Sequence, residues 1–151
     1  MPLPSPRLTR IAHLLLLDHR RHRVLLRDAA DALTPPHIVC GTRQSYHQAA
    51  TQAAGTWWGL TSWEAVPVIG HAWATPPGAD RGRRTERRLL MATVTHPLRP
   101  RSEPAQLQVR WWNLGQVRQS HRPTHPTELA DIVEGYWDGW LPDGPLTVEW
   151  A

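Results

Sequence analysis

The chain has 151 residues, 17 basic against 13 acidic side chains, nine Trp, no Phe and one Cys. That length fits one domain burying roughly two-thirds of its extended surface, and a lone cysteine excludes an internal disulfide framework. No apolar run approaches the roughly 20 residues of a membrane-spanning helix and no secretory core precedes a small-residue cleavage site, so a cytoplasmic protein with no membrane partner is expected.

Residues 1–6 are Pro-rich and read as a loose N-terminus; residues 7–151 read as a single domain. Arg7 to Leu17 is a central strand, Asp18 to His22 a polar turn, and Val24 to Arg27 the returning strand of a hairpin. Asp28 to Pro36 connects onward with a short helical turn at Ala29 to Leu33, which Pro35-Pro36 blocks from continuing. His37 to Cys40 is a short strand before a tight turn at Gly41. Ser45 is the N-cap of a helix from Tyr46 to about Trp57, with no Asx-type or Glu-bearing capping box. Ala and Gln favour that helix. Ala50, Ala53, Ala54 and Trp57 give it a small-residue face for close approach to a sheet, and Gly59 stops it.

Glu64 to Trp73 is a strand in which Pro67 marks an edge or a bulge. Thr75 to Arg84 is a loop, Thr85 to Thr95 a strand, and His96 to Pro104 a second loop. Leu107 to Leu114 is a strand entering a short turn, and Ser120 to Pro126 is a linker. Thr127 to Trp140 is the closing helix, with Glu128 in its first turn and an apolar stripe of Leu129, Ile132, Val133 and Tyr136 or Trp137. Leu141 to Ala151 can add an edge strand.

All the basic residues are Arg, which fits a GC-rich coding genome and, functionally, anion binding through guanidinium forks. Arg81, Arg83, Arg84, Arg87 and Arg88 cluster beside Gly78 and Gly82 and read as a solvated hairpin tip. No recognition motif or aromatic-interleaved basic stripe accompanies them, so nucleic acid is not an expected partner. The Trp residues replace Phe in core work, and Trp also lines ligand pockets. Trp111 and Trp112 are neighbours in a strand and must point to opposite faces.

The stretch Ile38 to Leu60, IVCGTRQSYHQAATQAAGTWWGL, carries no carboxylate; none occurs between Asp31 and Glu64. The order strand, strand, short strand, loop-helix, several strands, final helix resembles the Nudix hydrolases. The resemblance implies an α/β fold, an α/β/α sandwich with a mixed β-sheet and a C-terminal helix. It is sharpest in QSYHQAATQAAGTWWGL. The family's box reads G-x5-E-x7-R-E-U-x-E-E-x-G-U. Anchored on Gly59-Leu60, it places Gln44 at the first Glu, Gln52 at the Arg, Ala53 at the next Glu, and Thr56 and Trp57 at the paired Glu. RIAHLLLLDHRRHRVLLRDA is similar to the family's opening hairpin, and QVRWWNLGQV to its late strand entering a short helix. In the family the Glu residues hold Mg²⁺ or Mn²⁺, hard cations that need oxygen ligands and preferably carboxylates. The box here is degenerate in those letters, so no metal and no cofactor are expected; the resemblance also implies a homodimer.

The remaining candidates are weighed residue by residue. Cys40 before Gly41 resembles the Cys-Gly of the isopentenyl diphosphate isomerase branch, where the thiol is catalytic; a buried inert strand thiol is the other reading. His47, on the first helical turn, is either a solvent-facing His or an acid/base. Glu64 and Glu103 are the nearest carboxylates that could replace a missing base, or are strand-end and loop charges. His71 and Trp73 share one strand face that suits a pocket wall or a half-buried sheet surface. The expected site therefore has His47, Cys40 and Glu64 as catalytic groups. Arg43, Gln44, Gln52, Trp57, His71, Trp73, Glu103 and Trp111 would bind a small-molecule ligand. Two functions fit it first: a metal-independent enzyme on a small organic, biosynthetic substrate, or an inactive protein that binds or senses a nucleotide or diphosphate-type ligand. A hydrolase with relocated metal ligands is the third.

Overall fold

The computed structural model describes residues 7–29, 31–60, 63–74, 83–95, 98, 104 and 107–150. Its centre is β1 (Arg7–Asp18), paired in parallel along its whole length with β6 (Arg83–Val94), from Arg7↔Arg83 to Asp18↔Val94. Leu14 to Leu17 are fully buried. Successive strand residues alternate faces, so a continuous apolar run marks a strand covered on both sides.

The other strands extend the sheet from this pair. β2 (Arg23–Asp28) closes the hairpin with β1 and carries β3 (Leu33–Thr34) and β7 (Val109–Asn113). β4 (His37–Val39) pairs antiparallel with β1 at Ile11 to His13. On the far side β5 (Glu64–Ala74) runs antiparallel to β6, and β8 (Gly144–Thr147) lies parallel to β5. β8 is the edge, as the apolar tail suggested. The register of β5 shifts between Ala65 and Ile69, the bulge that Pro67 implied.

Helix α1 (Tyr46–Trp58) covers one face; its Ala50, Ala54 and Trp58 pack with Leu14, Leu16, Ala92 and Val94. Helices α2 (Leu114–Gln119) and α3 (Leu129–Asp138) cover the other, where Leu129, Ile132 and Val133 meet Leu15, Leu17, Leu89 and Met91. Trp111 and Trp112 divide between these two layers, as alternation requires.

Several expectations are corrected. Among the described residues of Ala29 to Leu33 there is no helical turn: Ala29 and Ala32 exchange backbone hydrogen bonds and the chain enters β3. Helix α1 does begin with a capping box, because Gln48 replaces Glu: Ser45 Oγ accepts from the Gln48 N–H and the Gln48 side chain accepts from the Ser45 N–H. Its most buried aromatic is Trp58, while Trp57 packs half-buried on the same layer. The closing helix is shorter than expected, with Glu128 as N-cap and left-handed Gly139 as C-cap. Glu128 is drawn away from the helix, its carboxylate accepting from the Glu149 N–H. Arg87 and Arg88 belong to no hairpin tip; they are half-buried in the middle of β6. Residues 75–82, where the rest of that tip was expected, lie outside the described residues.

Candidate functional site

On the α1 face of the sheet, side chains at alternate positions bring a buried carboxylate into a ring of donors. Glu86 of β6 stands opposite Arg10 of β1 and Trp73 of β5. It is 7% exposed. The Tyr46 hydroxyl, at the start of α1, donates to Glu86 Oε1. His71 Nε2 lies 3.4 Å from Oε2, and Arg88 Nε lies 3.5 Å from Oε1. Arg88 also sits over the Tyr46 ring at 4.5 Å, and Arg10 approaches that ring to 5.4 Å.

Burial alone would raise the Glu86 carboxyl. The Tyr46 hydrogen bond, the His71 ring beside it and the Arg88 charge outweigh it and hold Glu86 below the usual carboxylate range. Tyr46 moves the opposite way: burial and then the bond to Glu86 raise its phenol, so it stays protonated. An ionised carboxylate thus faces a phenol and an imidazole. His71 keeps about a third of its side chain in solvent, and Arg88 somewhat more. Such a pairing holds the imidazole ring in one orientation against the carboxylate.

The loop into α1 is joined to this network by Arg10, whose Nη2 donates to the Gly41 carbonyl at 2.7 Å. Above it an open groove of about 630 Å³ is lined by Gly41, Arg43, Gln44, Gln48 and Gln52. Three expected ligand-binding residues, Arg43, Gln44 and Gln52, therefore do converge. Cys40, just before Gly41, is held by its backbone N–H to the Arg10 carbonyl. Burial pushes its thiol above the ordinary value, with Arg10 partly opposing, so Cys40 stays protonated near neutral pH.

Other expected residues lie elsewhere. His47 is exposed and stacks on Trp63, with ring centroids 5.7 Å apart. Glu64 begins β5 opposite Thr93, seven residues along β6 from Glu86, or roughly 23 Å at about 3.3 Å per residue; it cannot serve the same centre. Its side chain and that of Trp73 are outside the described residues, as is Glu103. Trp57 packs into the α1-side core, and Trp111 sits beneath the β1–β2 hairpin. Sequence reasoning missed Tyr46, Glu86, Arg10 and Arg88. One signal was present: Glu86 is the single acid at period-two spacing between Arg84 and Arg88.

The opposite face holds a second polar group. His13 is 2% exposed. Arg87 Nη1 donates to its Nε2 at 2.9 Å, while its Nδ1 lies 3.3 Å from the Pro35 carbonyl. Those partners assign the proton to Nδ1 and leave the ring neutral. Burial first, then Arg87, hold its pKa well below the ordinary value. Trp150 closes over the pair, 4.0 Å from the His13 ring and 5.2 Å from the Arg87 guanidinium.

The donor set of the Gln44–Trp57 segment does not fit Mg²⁺ or Mn²⁺. The Gln44 amide oxygen already accepts from the Gly41 N–H, and the Gln52 amide oxygen from Gln44 Nε2 at 2.8 Å. Ala53 and Trp57 offer no oxygen, and Glu86 is surrounded by donors. Among the described residues no group of three or more His, Cys, Asp or Glu could hold a metal ion. Hard cations call for several oxygen ligands, charged ones above all.

No protein-family model matches the sequence, and no curated protein is significantly similar to it. Solved structures do match the fold. The Ap4A hydrolase of C. elegans superposes with a TM-score of 0.62 at 12% identity, covering 89% of this chain and 100% of that one. The E. coli dihydroneopterin triphosphate pyrophosphohydrolase gives 0.60 at 11% identity, over 86% and 95%. A Nudix hydrolase from M. smegmatis gives 0.56 at 19% identity, over 91% and 84%. On these superpositions, and with this little shared sequence, the chain is a divergent protein of the Nudix fold.

Proposed function

We propose that this chain is a Nudix-fold enzyme that acts on a small organic substrate by metal-independent proton transfer. The observation that carries the reading is Glu86, a buried ionised carboxylate that binds Tyr46 and sits at ion-pair distance from the partly exposed His71. His71 is the proton-transfer residue. Glu86 orients its ring, and Tyr46 fixes the carboxylate. The 3.4 Å separation is longer than an ideal hydrogen bond, as pairs of this kind often are before substrate closes on them. Arg10 and Arg88 favour a substrate that carries or develops negative charge, and the groove at Arg43, Gln44 and Gln52 gives it a surface on which to lie. Cys40, a protonated thiol beside Arg10, is a second proton donor.

The test is a metabolite library incubated with purified protein in excess EDTA and read by mass spectrometry. Wild type is expected to consume at least one compound. His71→Gln and Glu86→Gln should each slow that reaction by about 10²-fold or more, the usual scale of general acid–base assistance, while circular dichroism and binding are retained. Turnover that requires added Mg²⁺ or Mn²⁺, or that survives both substitutions, would overturn the reading. Saturable binding with no turnover would support a sensor or sequestering protein instead.

A further inference from the structure

We infer that a second ligand site, for a planar aromatic anion, lies beneath the β1–β2 hairpin at the far end of the α1 face. Its position separates it from the Glu86 centre. Asp18 pairs with Val94 at one end of the β1–β6 ladder and Arg10 with Glu86 eight residues earlier, a distance of roughly 26 Å along the strands. A cavity of about 330 Å³ opens there, with Trp111, Arg20, Arg21, Arg23, Asp18 and Val94 among its walls. That volume lies at the lower end of small-molecule sites, about 300–1,000 Å³.

The chemistry of its walls selects the ligand. Trp111 supplies an aromatic face, with the Arg23 guanidinium 5.3 Å from its ring. Asp18 is the cavity's carboxylate, and its bonds are already made. Arg23 Nη2 donates to Oδ2 at 2.9 Å, and the Arg21 backbone N–H to Oδ1 at 3.1 Å. Burial would raise this carboxyl, but those bonds and the Arg23 charge hold it below its ordinary value, so it stays ionised and neutralises Arg23. Arg20 and Arg21 are exposed at the mouth, and no carboxylate pairs with either among the described residues. The Arg23 Nε is buried and has no hydrogen-bond partner among them, although a buried guanidinium N–H left unpaired is costly. An aromatic floor, a surplus of two guanidinium groups at the rim and an unanswered donor in the wall together fit a flat ring with a carboxylate or phosphate on its edge. The ring lies against Trp111 and the anion meets Arg20 and Arg21.

Benzoate and phenyl phosphate are the probes, with benzamide as the neutral isostere and inorganic phosphate as the anion without a ring. Binding is followed by the indole N–H signals in a ¹H–¹⁵N spectrum. Both aromatic anions are expected to shift, saturably, the indole signal that Trp111→Leu removes. Benzamide and inorganic phosphate should bind at least about tenfold more weakly. The Arg20→Ala/Arg21→Ala double variant, altered only at exposed side chains, should weaken both aromatic anions about tenfold or more without changing the melting temperature. Added salt should weaken them too, because the rim charges are solvated. No saturable shift at 10 mM probe, equal binding of benzamide, or unchanged affinity in the double arginine variant would each overturn the site. None of these outcomes depends on turnover at His71.

Discussion

At the scale of single residues, the two buried polar centres make opposite demands on protons. Glu86 is stabilised as an anion and His13 as a neutral ring. For His13 the sign follows from linkage. Its folded pKa is depressed, so between that value and the unfolded pKa of about 6.5 the unfolded chain binds the extra proton. Stability therefore rises with pH through this window and is lost as pH falls below about 6.5. His37, also lowered by burial and then by Arg27 and Arg87, acts in the same direction. Glu86 and Asp18 add a separate loss at lower pH, as pH falls from their unfolded values near 4 through their depressed folded ones. Urea unfolding midpoints should thus decline between pH 7.5 and pH 5.5, by no more than about 1.4 kcal/mol per pH unit for each histidine. His13→Gln keeps a donor and an acceptor but cannot titrate. It should flatten that decline even if it lowers stability at pH 7.5. A decline as steep in the variant as in wild type would remove His13 from the explanation.

At the scale of elements, most of the architecture was legible because each strand or helix was over-determined locally. Leu14 to Leu17 could only be a strand covered on both faces, and Ala50, Ala53 and Ala54 could only face a close neighbour. Gly59 ends α1 with φ 64°, a left-handed conformation that costs other residues about 1 kcal/mol or more. The capping box was also within reach, since Gln performs the Glu role. The site was less legible because it is assembled by register. Tyr46, His71 and Glu86 come from α1, β5 and β6, and their meeting depends on the His71↔Arg88 and Trp73↔Glu86 pairings, which no local pattern states. The caps give a direct check on the loop-helix. Ser45→Ala should cost about 1 kcal/mol, and Gly59→Ala about as much, read as shifts in the urea midpoint at constant slope. If α1 were held only by packing of its alanine face, Ser45→Ala would move the midpoint by no more than a few tenths of a kcal/mol.

At the scale of the whole molecule, the fold and the chemistry separate. The fold superposes on hydrolases with which the chain shares at most 19% identity among the three compared, so the scaffold is alike where the sequence is not. Fold alone does not fix function; the groups set on it do. Here Gly41, Gln44 and Gln52 are closed by hydrogen bonds among themselves, and an ionised carboxylate, Glu86, sits in the sheet among its own donors. That arrangement makes a claim about bulk thermodynamics. A ligand that binds only the folded state stabilises it by RT ln(1 + [L]/Kd), about 2.7 kcal/mol when present at a hundred times its Kd. For a chain of this size that amounts to roughly 5–10 °C in Tm. A functional Mg²⁺ or Mn²⁺ site of about 10 μM affinity would therefore raise the melting temperature by that much at about 1 mM metal. With the amide oxygens already bonded, the expected shift is below about 1 °C. EDTA should have equally little effect on protein purified without chelator. A saturable rise of several degrees would mean that oxygen ligands outside the Gln44–Gln52 pair assemble around a cation. It would also count against the metal-independent proton transfer proposed at Glu86 and His71.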